Sequence, residues 1–304
     1  LVLSALDTSG GGRVYVYDYA LVEGAALRRL GHEPAYAVLQ PPAGFDPRVL
    51  AALAVRLYPV PPVATTWGVV GSYDIDLTGL QPLPLWGLNL SLRHAEGTPA
   101  HASLLRLGAV RSVVALDAQG FADLLPGPRF PSLFPEPILT FQVPGALPRA
   151  RVPSRARALE GREALAALFD PAFDPAAEVI LSGPGAHEAA SAAEGAAGSV
   201  RITELRVDRV RLEAELDSGG VVVLADAWDD GWRAWVDGDP APVLVANVAF
   251  RAVAVAAGRH VVEMRYRPRA ALVGLALSGL ALIALALVAA LVRLRRRSGR
   301  GGWL

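Results

Sequence analysis

Asp208–Leu216 reads DRVRLEAEL, and its alternation constrains how the rest of the chain can fold. Val210, Leu212, Ala214 and Leu216 fall on one side of an extended backbone and Arg209, Arg211, Glu213 and Glu215 on the other. That is the period-2 pattern of a strand with one face in a core and one in water. Toward the C-terminus, Asp217-Ser218-Gly219-Gly220 supplies a turn, and VVVLA (Val221–Ala225) is apolar on both faces, as a central strand requires. WRAWVDGDPAPVLV (Trp232–Val245) has the form of a hairpin with Asp237-Gly238 at its tip. A second hairpin joins AFRAVAV (Ala249–Val255) to HVVEMRYR (His260–Arg267), with Val262, Met264 and Tyr266 inward and Glu263, Arg265 and Arg267 outward. Short antiparallel strands at this spacing predict a β-sandwich.

Directly beyond the last strand, Ala270–Val292 (AALVGLALSGLALIALALVAALV) carries no charge. At about 1.5 Å per residue a helix of that length crosses a hydrocarbon core of about 30 Å with some tilt. No polar stripe interrupts the run, which argues against a buried core helix. Arg293, Arg295, Arg296, Arg297 and Arg300 follow at once. The positive-inside rule puts that tail in the cytoplasm and the preceding residues outside. The sequence opens on LVLSAL, with no charged n-region and long apolar stretch to export the domain. The expectation is a C-terminal piece of a longer polytopic protein.

Composition points the same way. Of 304 residues, 53% are hydrophobic and 19% charged, and the mean hydropathy is +0.35, a balance that places part of the chain in lipid. Basic and acidic residues number 29 each, so nothing draws the chain to a polyanion and no nucleic-acid partner is expected. The absence of cysteine excludes disulfides, thiolate zinc sites, iron–sulfur clusters and cysteine nucleophiles. Lysine is absent too, which excludes a Walker-type phosphate loop and a lysine Schiff base. Neither a Gly-x-Ser-x-Gly elbow nor a Gly-x-Gly-x-x-Gly after a strand occurs, so hydrolase and dinucleotide readings lack support.

The first part of the chain looks mixed. RVYVYDY (Arg13–Tyr19) alternates like a strand, while Ala20–Gly31 and Asp46–Tyr58 carry helical spacing. Thr98–Ala109 reads as a helix with Thr98 at the N-cap and Pro99 in the first turn, feeding a strand at Ser112–Leu116. Pro59–Trp86, rich in Pro, Gly and Trp, predicts irregular structure, and the proline density of Pro126–Pro137 marks a boundary. A strand at Ile138–Val143, a helix at Glu160–Phe169 and a flexible loop at Gly183–Ser199 are expected after it. The expected class is α+β: a small mixed α/β extracytoplasmic lobe (1–133), an antiparallel β-sandwich (134–268), one transmembrane helix (269–292) and a basic cytoplasmic tail (293–304).

Leu224–Ala270 resembles the C-terminal region of the bacterial YfhO-like membrane proteins. The resemblance is carried, in order, by Gly231-Trp232, Val236-Asp237-Gly238, Asn247 to Arg251, Ala257 to His260 and Tyr266 to Pro268. Ser72–Leu80, Leu105–Ala115, Ala146–Val152 and Phe173–Leu181 are similar to other segments of that family. Where the family often has Tyr-Tyr-Pro before Gly-Trp, this chain has Trp228-Asp229-Asp230. The resemblance implies a many-helix protein of the bacterial cell membrane, similar to C-superfamily glycosyltransferases, which use lipid-linked sugars at the outer face. In those enzymes the acidic catalytic residues usually lie in a first extracytoplasmic loop, outside this segment, so none is assigned here. The implied partners are the lipid bilayer, upstream transmembrane helices of the same protein, a polyprenyl-phosphate sugar and a glycan acceptor. The alternative is a non-catalytic, membrane-anchored sandwich that binds glycans or supports assembly of an envelope complex.

Two groups of residues are candidates for a site. Asp74-Ile75-Asp76 has the Asp-x-Asp spacing by which some glycosyltransferases hold a divalent cation on a sugar phosphate, since hard cations favour paired carboxylate oxygens. Loop packing by Tyr73, Asp74 and Asp76 is the weightier reading, and Asp237-Gly238-Asp239 repeats the spacing within a turn. Trp228, Trp232 and Trp235 with Asp226, Asp229 and Asp230 could form a sugar platform, because indole faces pack on pyranose rings and carboxylates accept hydroxyl hydrogens. Against this stands a core role for Trp232 and a membrane-interface position for Trp228. His32, His94, His101, His187 and His260 show no ligand spacing, so no metal site and no cofactor is expected in this segment. A divalent metal is reserved for the full-length protein.

Overall fold

The computed structural model describes residues 2–8, 11–17, 44–59, 63–74 and 81–298; the helix read at Ala20–Gly31 and the carboxylate of Asp76 lie outside them. Among the described residues, strands β1 (Arg13–Val16), β2 (Val110–Ala115), β3 (Leu125–Phe130) and β4 (Ile138–Gln142) form a four-stranded sheet in the order β1-β2-β4-β3. The β1–β2 pair is parallel and the other two are antiparallel. Helix α1 (Pro47–Leu57) is capped by Asp46, whose carboxylate accepts from the Arg48 amide at 2.8 Å. Helices α2 (Leu83–His94) and α3 (Pro99–Leu107) follow. Thr98 stands at the N-cap of α3 as read, but its hydroxyl turns back to the Ala95 carbonyl at 2.6 Å instead of capping.

Beyond β4, the strands β5 (Ala150–Arg151), β6 (Arg155–Ala158) and β7 (Glu178–Ser182), with helix α4 (Gly161–Leu168) between the last two, begin a second sheet. Helix α5 (Ala186–Ala192) leads to β8 (Gly198–Leu205), β9 (Arg209–Leu216), β10 (Gly220–Ala227), β11 (Trp232–Val236), β12 (Asp239–Ala241), β13 (Leu244–Ala246), β14 (Phe250–Val255) and β15 (Gly258–Tyr266). These complete a six-stranded sheet, β5-β10-β14-β13-β7-β6, and a five-stranded antiparallel one, β12-β11-β15-β9-β8. The fold is therefore α+β, with an apolar helix α6 (Arg269–Ser298) at the C-terminus.

The alternation in β9 works as read. Val210, Leu212, Ala214 and Leu216 are buried and pack with Val262 and Met264 of β15 against Val222, Leu224, Val253 and Val255 of the six-stranded sheet. β10 is apolar on both faces because both are covered. Val222 and Leu224 face the five-stranded sheet, while Val221 and Val223 belong to the core shared with β2, β4 and α3. The six-stranded sheet is thus the middle layer of the molecule.

Four local readings are corrected. Ala249–Val255 and His260–Arg267 do not form a hairpin: β14 pairs with β10 and β13 in the six-stranded sheet and β15 with β9 and β11 in the five-stranded one, so the chain crosses from one layer to the other at Ala256-Ala257. Gly183–Ser199 is not a flexible loop: Gly185, at φ 85°, starts α5, and Ala186, Ala189 and Ala193 form a small buried stripe one helical face wide. Alanine carries little hydropathic signal, yet it favours helix and permits close packing. Pro59–Trp86 contains a 3-10 turn at Val63–Trp67 and the start of α2. The sandwich is not wholly antiparallel, since β6 and β7 run parallel around α4.

One motif residue secures the middle sheet. Asn247, fully buried at φ 48°, donates its amide to the Ile180 carbonyl at 2.7 Å and accepts the Ile180 amide on Oδ1 at 2.9 Å. It extends the β13–β7 ladder by one rung made half of side chain. Asn247→Ala leaves the Ile180 amide unpaired in the core and is expected to cost about 1–3 kcal/mol, read as a lower urea midpoint.

Candidate functional site

The segment Gly71–Asp74 lies beside β1. Gly71 bridges Val14, the Val14 amide donates to the Val70 carbonyl at 3.0 Å, and the Ser72 amide donates to the Val14 carbonyl at 3.3 Å. Tyr73 then turns at φ 60°, a conformation that costs a non-glycine residue roughly 1–3 kcal/mol and persists where packing over-determines it. Its buried ring lies edge-on to Tyr15 at 6.3 Å and near Phe250 at 6.2 Å, and its hydroxyl donates to the Leu104 carbonyl. Two glycines make room for this turn. A Cβ on Gly108 would sit 2.4 Å from the Tyr73 ring, and one on Gly71 would sit 1.9 Å from Asp74 Oδ1.

Asp74 is half-buried at that turn, with Oδ1 enclosed. Among the described residues its Oδ1 is buried without a hydrogen-bond partner, and its main-chain carbonyl accepts from Gln81 Nε2 at 3.1 Å. Burial raises its pKa to about 6, with Arg13 pulling the other way.

Arg13 leads into a buried ionic cluster on Asp226. Arg13 binds both the Asp226 carboxylate and the Ala225 carbonyl. Arg149 Nε reaches Asp226 Oδ1 at 2.8 Å, and Arg251 Nη2 reaches Oδ2 at 2.9 Å. Burial alone would raise the Asp226 pKa, but the three guanidiniums outweigh it and hold it at about 2. Arg251 also lies 3.6 Å from the centroid of the Trp232 ring, and burial lowers its pKa to about 10. Arg151, two residues from Arg149, is buried with none of its three guanidinium nitrogens hydrogen-bonded.

The structure therefore brings Tyr73 and Asp74 to the sandwich, beside Phe250 and Arg13, but it separates the tryptophans. Trp232 is a core residue packed on Tyr266 at 5.3 Å. Trp235, three positions on, lies on the opposite face of β11, so the two cannot form one stacking surface. Trp228 is half-buried, with its indole nitrogen enclosed and without a hydrogen-bond partner. Asp229 closes a turn by accepting the Gly231 amide at 2.8 Å.

On the outer face of the five-stranded sheet, Trp235 lines a polar groove with Arg211, Asp237, Val261, Glu263 and Arg265. Glu263 is paired to Arg211 at 2.7 Å and to Arg265 at 2.8 Å, and Asp237 is bound to His260 Nδ1 at 2.7 Å. Asp237 and Gly238, at φ 53° and 96°, make the mirror-image turn that hairpins favour. Among the described residues, no three His, Asp or Glu side chains gather as a metal-holding group.

Arg13, Arg149 and Arg251 carry no sequence signal as a set, since they lie in β1, just before β5 and in β14.

A family model described as bacterial membrane protein YfhO matches residues 189–278. The match begins within α5, takes in β8 through β15 with Asp226, Trp228, Trp232, Trp235 and Arg251, and ends inside α6; Tyr73 and Asp74 precede it. No curated protein and no solved structure matches the chain.

Two charge predictions follow from the pKa values. Asp226 is depressed below its unfolded value of 3.8, so its contribution is present above that pH and is lost as pH falls through about 2. Asp226→Ala leaves three buried guanidiniums around an empty centre and is expected to cost about 3–5 kcal/mol at pH 7 in chemical unfolding. Asp74 has the opposite sign: raised from 3.8 to about 6, it favours the fold most at low pH, and that stability is lost as pH rises to about 6. Asp74→Asn is expected to gain about 1–3 kcal/mol at pH 7.5 and little at pH 4, read from paired urea titrations.

Proposed function

We propose that this YfhO-like chain is the C-terminal part of a polytopic bacterial membrane protein that serves glycosyl transfer in the cell envelope. Polyprenyl-phosphate-linked sugars are the donors, a glycan is the acceptor, and the catalytic carboxylates lie outside these residues. The supporting observation is the joint between sandwich and helix. β15 ends at Tyr266 and α6 begins at Arg269, leaving two residues between them. The Arg267 amide donates to the Gly231 carbonyl at 2.7 Å, and the Tyr266 ring rests on Trp232. A Cβ on Gly231 would meet the Tyr266 ring at 2.6 Å and Pro268 Cα at 3.1 Å, so glycine is required for this closure.

The helix that follows, Arg269–Leu291, is long and apolar enough to cross a membrane, with mean hydropathy 2.6. Two extended residues span at most about 7 Å, which holds the sandwich at headgroup level, where the sugar of a polyprenyl carrier projects. Arg293, Arg295, Arg296 and Arg297 follow the span and favour a cytoplasmic tail with the sandwich outside. The Trp235 groove offers an indole and fixed Arg and Glu donors and acceptors to a pyranose.

A second reading, a glycan-binding or assembly module without catalysis of its own, is favoured by the state of the sandwich carboxylates. Glu213, Glu215 and Glu263 are each paired with arginine, an arrangement suited to recognition more than to proton transfer. The test is radiolabelled sugar transfer from a polyprenyl-phosphate donor by the full-length protein in proteoliposomes. Transfer is expected, with Trp235→Ala raising the KM for the sugar-bearing substrate several-fold at unchanged thermal stability. Absence of transfer across varied donors, with glycan binding retained, would overturn the enzymatic reading in favour of the module.

A further inference from the structure

Outside α6, large apolar side chains that face solvent are concentrated in one part of the chain. Of the twelve such side chains among the described residues, nine lie between Phe45 and Leu90. Helix α1 shows why this is unusual. Its Leu50 and Ala54 are buried, as one amphipathic face should be. Yet Val49, Leu53 and Leu57, spaced i, i+4, i+8, form a second apolar stripe that is 48%, 41% and 53% exposed. Leu53 and Leu57 continue into a groove with Val2, Trp67, Phe130 and Pro131. Water gains nothing from this surface, and burying it would release about 25 cal/mol per Å².

The charges beside the stripe say what covers it. Arg48 and Arg56 flank it, and Arg56 lies over the half-exposed Trp67 ring at 5.3 Å. α1 itself has no acidic residue; the nearest, Asp46, is engaged as its cap. Leucine and tryptophan between arginines, with no acid in the helix, complement a surface apolar beneath and anionic above. Arginine stems lie along the apolar stripe while their heads reach phosphate. We infer that the α1–Trp67 face rests on the anionic lipid surface of the membrane that α6 enters, giving the first lobe its own bilayer contact. This rests on α6 being a membrane span. The span makes the second contact intramolecular, so a modest affinity suffices to hold it.

The chain has no cysteine, so single labels are clean. The full chain is reconstituted in phosphatidylglycerol–phosphatidylcholine vesicles with a fluorophore at Leu53→Cys, at Ala281→Cys near the middle of the α6 span, or at Asp217→Cys in the exposed turn after β9; Leu53 and Asp217 are quenched with shallow nitroxide lipids and Ala281 with nitroxides deep in the acyl chains. Strong quenching at Leu53, several-fold above Asp217 and reduced at least twofold by Arg48→Gln with Arg56→Gln or in pure phosphatidylcholine, is the expected result. Leu53 quenched no more than Asp217 while Ala281 is quenched overturns the contact and leaves the span intact. A Leu53 label shielded from both lipid and aqueous quenchers means protein covers the stripe, which also overturns it. An unquenched Ala281 overturns the span and this inference together.

Discussion

The fold turns on one carboxylate. Asp226 collects Arg13 from the first sheet, Arg149 from the strand edge beside it and Arg251 from the neighbouring strand of its own sheet. Three cations on one buried anion cannot be an energetic optimum by themselves, since each guanidinium loses hydration on entry. What the arrangement supplies is geometry. The middle sheet is held to the first lobe through Arg13 and to the sandwich core through Arg251, which lies between Asp226 and the face of Trp232. Apolar layers alone can slide; directional hydrogen bonds to one carboxylate set the first sheet against the middle one, and the Arg251 guanidinium stacked on Trp232 carries the contact to the third.

Apart from Asn247 to Arg251 in the middle sheet, the residues that carry the family resemblance gather at the two ends of the outer sheet. At one end Asp237 and Gly238 turn the hairpin while Asp237 accepts from His260 and from the Val261 amide at 2.8 Å. At the other, Gly231, Trp232, Tyr266 and Pro268 close over each other where the chain departs for α6. The first pins the register of β11 against β15, and the second makes the departure stiff. A stiff joint fixes the sandwich relative to α6, so the outer face and its Trp235 groove keep a defined position relative to that helix.

Asp74 stands apart from this scaffold. Its carboxyl is enclosed by a turn that forces Tyr73 into a left-handed conformation and demands glycine at two neighbouring positions. Strain and desolvation accumulated around one titratable group are what a working site requires, though they also arise where a loop is simply packed tight. The sequence pointed to Asp74 for the spacing to Asp76; the structure singles it out for burial instead.

Strands β1, β2, β4, β9, β10, β14 and β15, the Asp237-Gly238 turn, the apolar helix and the α+β class were legible in the sequence, because alternation, turn chemistry and hydropathy are local properties; β3, β5, β6 and β7 are too short or too proline-rich to show such a pattern. The amino-acid order also determined that β10 lies between two cores, since both of its faces are apolar. The tertiary structure alone decided that β6 and β7 run parallel, that an alanine stripe makes α5 a helix, that Trp232 and Trp235 turn away from each other, and that Arg13, Arg149 and Arg251 converge on Asp226. The reason is physical: a side chain's partner across sheets is set by packing between residues more than a hundred positions apart in the case of Arg13 and Asp226, and no local pattern records such a pairing.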